Sequence, residues 1–550
     1  MPGERPGDER DGDRSDGGTA PGDARRYDVV VVGAGPGGIY GVHRFLRQGL
    51  TVLGLEAAGG VGGVWFHNRY PGARVDLYSV DYSYHFSREI LEKWSWSERF
   101  ASQAELLEYL NFVADRLDVR RHFLFDTKLV SARWDGGDGR WHLRTDTGLD
   151  VATRFLVMAT GNLSAPRQPP FPGLDRFGGD WYQTSYWPED PVDLDGRRIG
   201  VIGTGSTGVQ AVTALAGRAS RLYVFQRTAN YSVPAQNRPL GPEDQCPPEK
   251  VLDERERLLT FPSGSQIPRA PHPLAHYTTE EQQALLERQW AHGGQGMNAV
   301  FADQGVDPAT NFVVAEFVRQ KIRDTVADPA VAEALCPYDY PIGTRRLCLD
   351  TGYYEQFNRD HVTLVDVRAD PIVEITETGL ATGSAHYDLD VIIFALGFHA
   401  FRGALDQADI RNEAGQTPGD AWARGPRTRL GLMTRGFPNL FLPTGPGSPS
   451  VLANMILLNE LHMDWIADCI AHVGDLGLAT VEPTEEGEAS WTAHVAEVAS
   501  RLLRLNVDNY MVHVNDDGSR VFMPYAGGLD HYMAMARGIA ADGYDGFAFA

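Results

Sequence analysis

Tyr27–Val32, YDVVVV, is a short unbroken apolar run of the kind found in a parallel strand buried on both faces. Behind it come six small residues, GAGPGG, and then apolar positions at Ile39, Val42, Phe45 and Leu46, which is helical spacing. A second strand, TVLGLE, ends at Glu56. Near residue 201 the same order returns: RRIGVIG, then TGSTG, a helix through Val209, Val212 and Leu215, and a strand RLYVF ending at Phe225. Strand, glycine loop, helix and strand make one nucleotide-binding βαβ unit. Two such units predict an α/β fold with two Rossmann-like dinucleotide-binding domains.

The remaining pattern fills in around them. A helix is expected near 103–118, hairpin strands near 127–157, and a proline-punctuated helical region over about 234–340. DVIIFALG at 390–397 reads as another buried strand, and amphipathic helices follow near 452–472 and 486–505. The segment DRFGGDWYQTSYWPED, 175–190, has neither helical nor strand periodicity and reads as an ordered connector. The expected division is a discontinuous first domain over 27–160 and 391–550. A second domain takes 161–233 and 345–390 and carries a helical insertion over 234–344. Residues 1–26 are rich in Gly, Asp, Arg and Pro without an apolar stretch, so they are expected to be a disordered tail and not a signal peptide.

Composition narrows the function classes. A 550-residue chain that is 43% hydrophobic can bury a large core, and a formal charge of −23 argues against nucleic acid or an anionic membrane as partner. The apolar stretch from Leu452 to Ile470 is interrupted by Asn454, Asn459, Glu460 and Asp464, so no membrane span is expected. Cys246, Cys336, Cys348 and Cys469 are scattered without a CxxC or metal-ligand spacing. They are expected to be free thiols of a cytoplasmic protein, with no dithiol redox centre and no metal.

The glycine loops differ in what they would hold. Gly33, Gly35 and Gly38 supply GxGxxG between strand and helix, and Glu56 lies 23 residues after Gly33, where a carboxylate accepts from ribose hydroxyls. Gly203, Gly205 and Gly208, with Ser206 and Thr207 between them, repeat the loop. The position 23 residues on is Gln226, with Arg227 and Thr228 beside it. A carboxylate would repel a 2′-phosphate, whereas a guanidinium and a hydroxyl bind one. The first loop therefore suits FAD and the second NADPH, which makes a flavin-dependent oxidoreductase the expected class. Without a CxxC, a disulfide reductase is disfavoured.

Against this background 177–188 becomes legible. Phe177, Gly179, Trp187 and Pro188 fit F-x-G-x-x-x-(H)-x-x-x-W-P just ahead of the second loop, and this resembles the fingerprint of the FAD- and NADPH-dependent Baeyer–Villiger monooxygenases. Gln183 stands where that family has His; it keeps hydrogen bonds and cannot carry charge. GGVGGVWFHNRYPGARVD at 59–76, which contains Trp65, resembles the family's flavin-side stretch. ALGFHAF at 395–401 resembles its ATG-type linker, with Leu396 in place of Thr, and RGPRTRLGLMTRGFPNLFLPTGPGSPSVLANM at 424–455 its flavin and substrate region.

The resemblance implies residue roles. GTRRLCLDTGYYEQFN at 343–358 matches the stretch holding the catalytic arginine, which falls on Arg346; Asp76 matches the carboxylate that positions it, and Arg345 falls where a Lys contacts the 2′-phosphate. The substrate wall would come from Asn162, Leu163, Ser450, Val451, Leu452 and Met455, for which plain core packing is the competing reading. Asn509, aligned through Tyr510 and Arg520, takes the place of a Trp in a mobile loop. The implied reaction has NADPH reduce FAD, O2 add at the flavin C4a, and the resulting peroxide attack a ketone to give an ester or lactone. Competing readings are oxygenation of an amine or sulfide, and a flavoprotein working as an NADPH oxidase or nucleotide-responsive module. The expected partners are a small ketone and O2, with the chain a monomer or weak homo-oligomer.

Overall fold

The computed structural model describes residues 25–550, so most of the expected tail lies outside the described residues. Its last two positions do not belong to a tail, because Arg25 and Arg26 pair with Val151 and Ala152 and start the first strand, Arg25–Val32. That strand is central. In its sheet the order is Asp409–Arg411, Leu129–Asp135, Arg140–Thr145, Asp150–Met158, Arg25–Val32, Val52–Leu55 and Phe123–Leu124, with Leu440–Phe441 also on Asp150–Met158. Val29 and Val31 face a core shared with Ile39, Val42 and Phe45 of helix Pro36–Leu46 and with the long helix Met455–Asp475. Val30 and Val32 face the opposite core, built on Trp134, Trp141 and Leu143 of the hairpin. Burial on both faces is what the unbroken valine run encodes.

The second sheet has five parallel strands in the order Val362–Asp366, Arg221–Gln226, Arg198–Ile202, Val391–Phe394 and Asp180–Gln183. Two expectations change here. The segment around 180 is no mere connector, because Asp180–Gln183 is the edge strand of this sheet. Period-two alternation is invisible over four residues, with the first two exposed and the fourth buried. Val391–Phe394 sits inside the same sheet, so the chain returns to the first domain beyond Phe394 and not at 391. Its four residues are fully buried, which is the mark of an inner strand.

The insertion carries helices Val251–Leu258, Thr279–His292, Pro308–Thr325 and Pro329–Leu335. It divides between the two cores. Leu258 and Leu259 pack with the first domain, whereas Leu286, Val314, Val318, Ile322 and Leu335 pack with the second. The predicted helix at 486–505 stops at Ala499. All four cysteines are free, and among the described residues no helix is long and apolar enough to cross a membrane.

Candidate active site

Helices Pro36–Leu46 and Ser206–Leu215 open in the same way. Their N-caps, Gly35 and Gly205, have no side chain to occupy the first-turn N–H groups, which leaves those donors for an anion. A Cβ on Gly38 would overlap the carbonyl oxygen of Gly33, and one on Gly208 that of Gly203, so only glycine lets each helix close onto its loop. Glu56 is buried and binds the first loop, its carboxylate accepting from Ala34 N–H at 2.6 Å and Ala58 N–H at 2.8 Å. Burial pushes its pKa up against the pull of those two N–H groups. Its remaining lone pairs can accept from ribose hydroxyls. This loop fits the diphosphate and ribose of FAD.

At the second loop, Gln226 is buried and donates through Nε2 to Ala334 O at 2.7 Å, while its Oε1 has no partner among the described residues. Arg227 beside it is exposed. The carbonyl of Thr228 accepts from Thr204 Oγ1 at 2.9 Å. Arg345 comes from a distant element and lies over the Tyr340 ring, 4.4 Å from its centroid. The Tyr340 hydroxyl bonds Ala229 O at 3.0 Å and Asn230 Oδ1 at 2.8 Å. Tyr340 therefore ties the Arg345 element to the loop that follows Thr228. An unpaired buried acceptor and two cations fit an NADP dinucleotide.

Arg346 and Asp76, 270 residues apart, form a forked pair. Nε and Nη2 of Arg346 donate to the two carboxylate oxygens, the latter at 2.8 Å, and Nη1 donates to Val451 O at 2.6 Å. Burial disfavours the guanidinium charge, and Asp76 more than reverses this, so Arg346 stays a fixed cation. Gln295 supports Asp76 from the insertion at 3.3 Å while bonding Leu347 O at 3.2 Å. The loop carrying Asp76 is fastened to the second domain, because Tyr70 donates to Gln210 Oε1 at 2.7 Å and Gln210 Nε2 donates to Arg74 O at 3.1 Å. Trp65 meets Tyr82 edge-on, with its Nε1 at 3.3 Å from the hydroxyl. Burial raises the Tyr82 pKa to about 12, with Asp76 and Arg346 acting on it in opposite directions.

The expected wall residues converge only in part. Asn162 Nδ2 donates to Ser450 Oγ at 2.6 Å, and Ser450 Oγ donates to Thr444 O at 3.1 Å. Val451 holds Arg346, and Leu452 packs with Phe401, Met511 and Tyr510. Met455 instead leans on the first-domain core, as the competing reading has it. Leu163 is half-buried next to Asn162. Thr444 and Ser450 both have left-handed backbone, with φ of 58° and 43°. Thr444 N–H donates to His462 Nδ1 at 2.9 Å, which fixes the ring as neutral with Nε2–H toward the Tyr532 hydroxyl, 2.9 Å away.

Gln183 is buried and donates to Arg167 O at 2.6 Å. Arg167 N–H in turn donates to Gly397 O at 3.0 Å, and Pro166 bridges Phe398. Arg167 thus joins the two chain segments that pass between the domains, and Gln183 holds Arg167. Trp187 N–H donates to His67 O at 3.2 Å, joining the fingerprint segment to the flavin-side stretch just ahead of Pro188. The Phe177 ring fills the space a Cβ on Gly179 would need.

A family model for flavin-binding monooxygenase-like proteins matches residues 26–238. A Baeyer–Villiger monooxygenase of Pseudooceanicola batsensis is 39% identical, covering 94% of this chain and 95% of its own. The chain belongs to the Baeyer–Villiger monooxygenase family. A solved steroid monooxygenase bound to NADP superposes with a TM-score of 0.91 at 49% identity, covering 95% of this chain and 99% of its own. A phenazine N-monooxygenase of Lysobacter antibioticus is 37% identical over 96% of this chain and 97% of its own.

Sequence reading missed several residues of this monooxygenase's site. Gln295, Gln210 and Tyr82 carry no spacing signal and enter only through the fold. Asn509, the position expected to stand for the family's Trp, bonds within its own segment. Its Oδ1 accepts from Met511 N–H at 2.8 Å and its Nδ2 donates to Val507 O at 2.8 Å, which turns it back into its own loop. The aromatic that faces Arg346 and Asp76 is the next residue, Tyr510, whose pKa burial raises and Arg346 lowers.

Proposed function

We propose that this monooxygenase inserts one oxygen atom beside a ketone carbonyl to give an ester or lactone, and that Arg346 and Asp76 are its central pair. The observation that carries this reading is the forked Arg346–Asp76 pair, roofed by Val451 and tied through Gln210 to the helix of the second glycine loop. When bound, FAD accepts hydride from NADPH and activates O2. The protein's own groups hold the dinucleotides at Gly33–Gly38 with Glu56, and at Gly203–Gly208 with Arg227, Thr228 and Arg345. Arg346 presents a permanent positive charge where negative charge develops on the ketone oxygen, and Asp76 fixes its direction. Asn162, Ser450, Val451 and Leu452 shape the space for the ketone. Four free cysteines support a reducing, cytoplasmic setting.

Aerobic turnover of the FAD-loaded protein with NADPH and a panel of cyclic and aryl ketones tests this, counting oxygenated product per NADPH consumed. A ratio near one on any ketone upholds the reading. Oxygenation of an amine or sulfide with every ketone inert would shift it to heteroatom chemistry, a reading that similarity to a phenazine N-monooxygenase favours. NADPH consumption yielding only hydrogen peroxide across the panel would count against both.

A further inference from the structure

Ser206 and Gln210 stand four residues apart on helix Ser206–Leu215, so their side chains leave the same face. That face meets both segments that present the Arg346–Asp76 pair. Gln210 takes the loop ahead of Asp76: its Oε1 accepts from the Tyr70 hydroxyl at 2.7 Å, and its Nε2 donates to Arg74 O at 3.1 Å. The loop lies directly on the helix, because a Cβ on Gly72 would come within 2.5 Å of Gln210 O and 3.0 Å of Ala214 Cβ. Ser206 meets the other segment, its hydroxyl donating to Cys348 Sγ at 3.6 Å just past Arg346. Tyr70 and Cys348 are both buried. The carboxamide of Gln210 thus commits its oxygen and an N–H to one loop, which packing alone does not require. The far flank of that loop is fixed in the first domain, where Arg74 Nη1 donates to Glu98 at 2.7 Å and Val75 N–H to Ala101 O at 3.1 Å. Asp76 therefore hangs between the first domain and the helix that opens from the second glycine loop.

We propose that Gln210 is a positioning residue that makes the Asp76 loop and the nucleotide helix one body, so that a dinucleotide held at Ser206–Gly208 also fixes the direction in which Asp76 holds Arg346. The first-turn N–H groups of this helix are the donors for the phosphates, and Gln210 lies one turn further along it. A free energy that links two sites is shared by both, so the link also runs backward: damage to Asp76 is felt at the nucleotide. The inference deepens the ketone reading above and rests on it for what the Arg346–Asp76 pair does.

The test is a double-mutant cycle on FAD-loaded full-length proteins: wild type, Gln210→Leu, Asp76→Ala and the two combined. Leucine keeps the helix propensity of glutamine and makes neither bond. The first readout is the Kd of NADP+ from flavin spectral change, with no turnover. Each single replacement should weaken NADP+ about three- to tenfold, and the double should exceed the worse single by no more than about twofold, since one link is broken only once. The proposal is overturned if either single replacement binds within about twofold of wild type, or if the two losses multiply, as a role confined to the shape of the helix would make them. The second readout is anaerobic flavin reduction at saturating NADPH, which Gln210→Leu should leave within about threefold of wild type. A rate that stays depressed at saturation marks a distorted helix and overturns the proposal as well. If Gln210→Leu does not fold, Tyr70→Phe, which removes one hydroxyl from the same clasp, takes its place in the cycle. No ketone enters the cycle, so its outcome is separate from that of the ketone reading, which wild-type turnover on the ketone panel decides.

Discussion

Replacing Arg346 by Lys keeps the charge and removes the fork. The native guanidinium spends three nitrogens on three oxygens, two on Asp76 and one on Val451 O. A lysine ammonium is a single point on a differently shaped stem and can reach one of those acceptors well. Hydrogen bonds to a charged partner are worth about 1.5–3 kcal/mol each when buried. The side chains here are 28% and 24% exposed, so solvent screening brings the figure toward 1 kcal/mol apiece. Losing two of the three bonds therefore misplaces the cation at a cost of about 2–3 kcal/mol, which converts to roughly 30–150-fold in rate. The assay separates the half-reactions. Anaerobic stopped-flow reduction by NADPH should change by less than about threefold, while oxygenated product per NADPH should fall by one to two orders of magnitude, with hydrogen peroxide making up the balance. Arg346→Ala should abolish oxygenation and still bind FAD. Wild-type product yield from Arg346→Lys would refute the reasoning, because it would mean that charge alone matters and the Asp76 fork is incidental.

Arg227→Ala should lower the NADPH-over-NADH preference in kcat/KM at least tenfold while leaving FAD content unchanged; an unaltered preference would remove Arg227 from the 2′-phosphate site. Gln183→Ala deletes the bond to Arg167 O, so it should cost about 1 kcal/mol in a urea melt and raise the peroxide share of NADPH turnover. A melt and a coupling ratio equal to wild type would show that the clip is dispensable. His462 is held neutral, its pKa pushed down to about 3 by burial, so the unfolded chain takes up a proton below about pH 6.5 that the folded protein refuses. Its contribution to stability is thus full above that pH and is lost as pH falls, at about 1.4 kcal/mol per unit. Comparing urea unfolding of wild type and His462→Gln between pH 7 and 4.5 should show the gap between them narrowing at that slope as pH falls; a constant gap would mean that His462 titrates freely.

What could be seen in the chain follows how local each signal is. The valine run, each glycine loop and the Gln226–Arg227 pair each lie within a single βαβ unit, and the structure sets the loops at strand–helix turns and Gln226 at a strand end. Asp180–Gln183 escaped because a four-residue edge strand has no period to read, and its pairing with Val391–Phe394 spans 211 positions from Asp180 to Val391. The same distance hid the boundary near 391, since a buried strand announces its burial and not which sheet buries it. Arg346 and Asp76 were reached through family resemblance, whereas Gln295 and Tyr510 were not. Both supply a common polar group where separate elements meet, and no composition or spacing marks such a point. Gln295 makes the reason physical: within its own segment, GGQGMN, it is an ordinary polar residue. It becomes a support for the Arg346–Asp76 pair only when the fold sets Asp76 and Leu347 O at 3.3 and 3.2 Å from its Nε2.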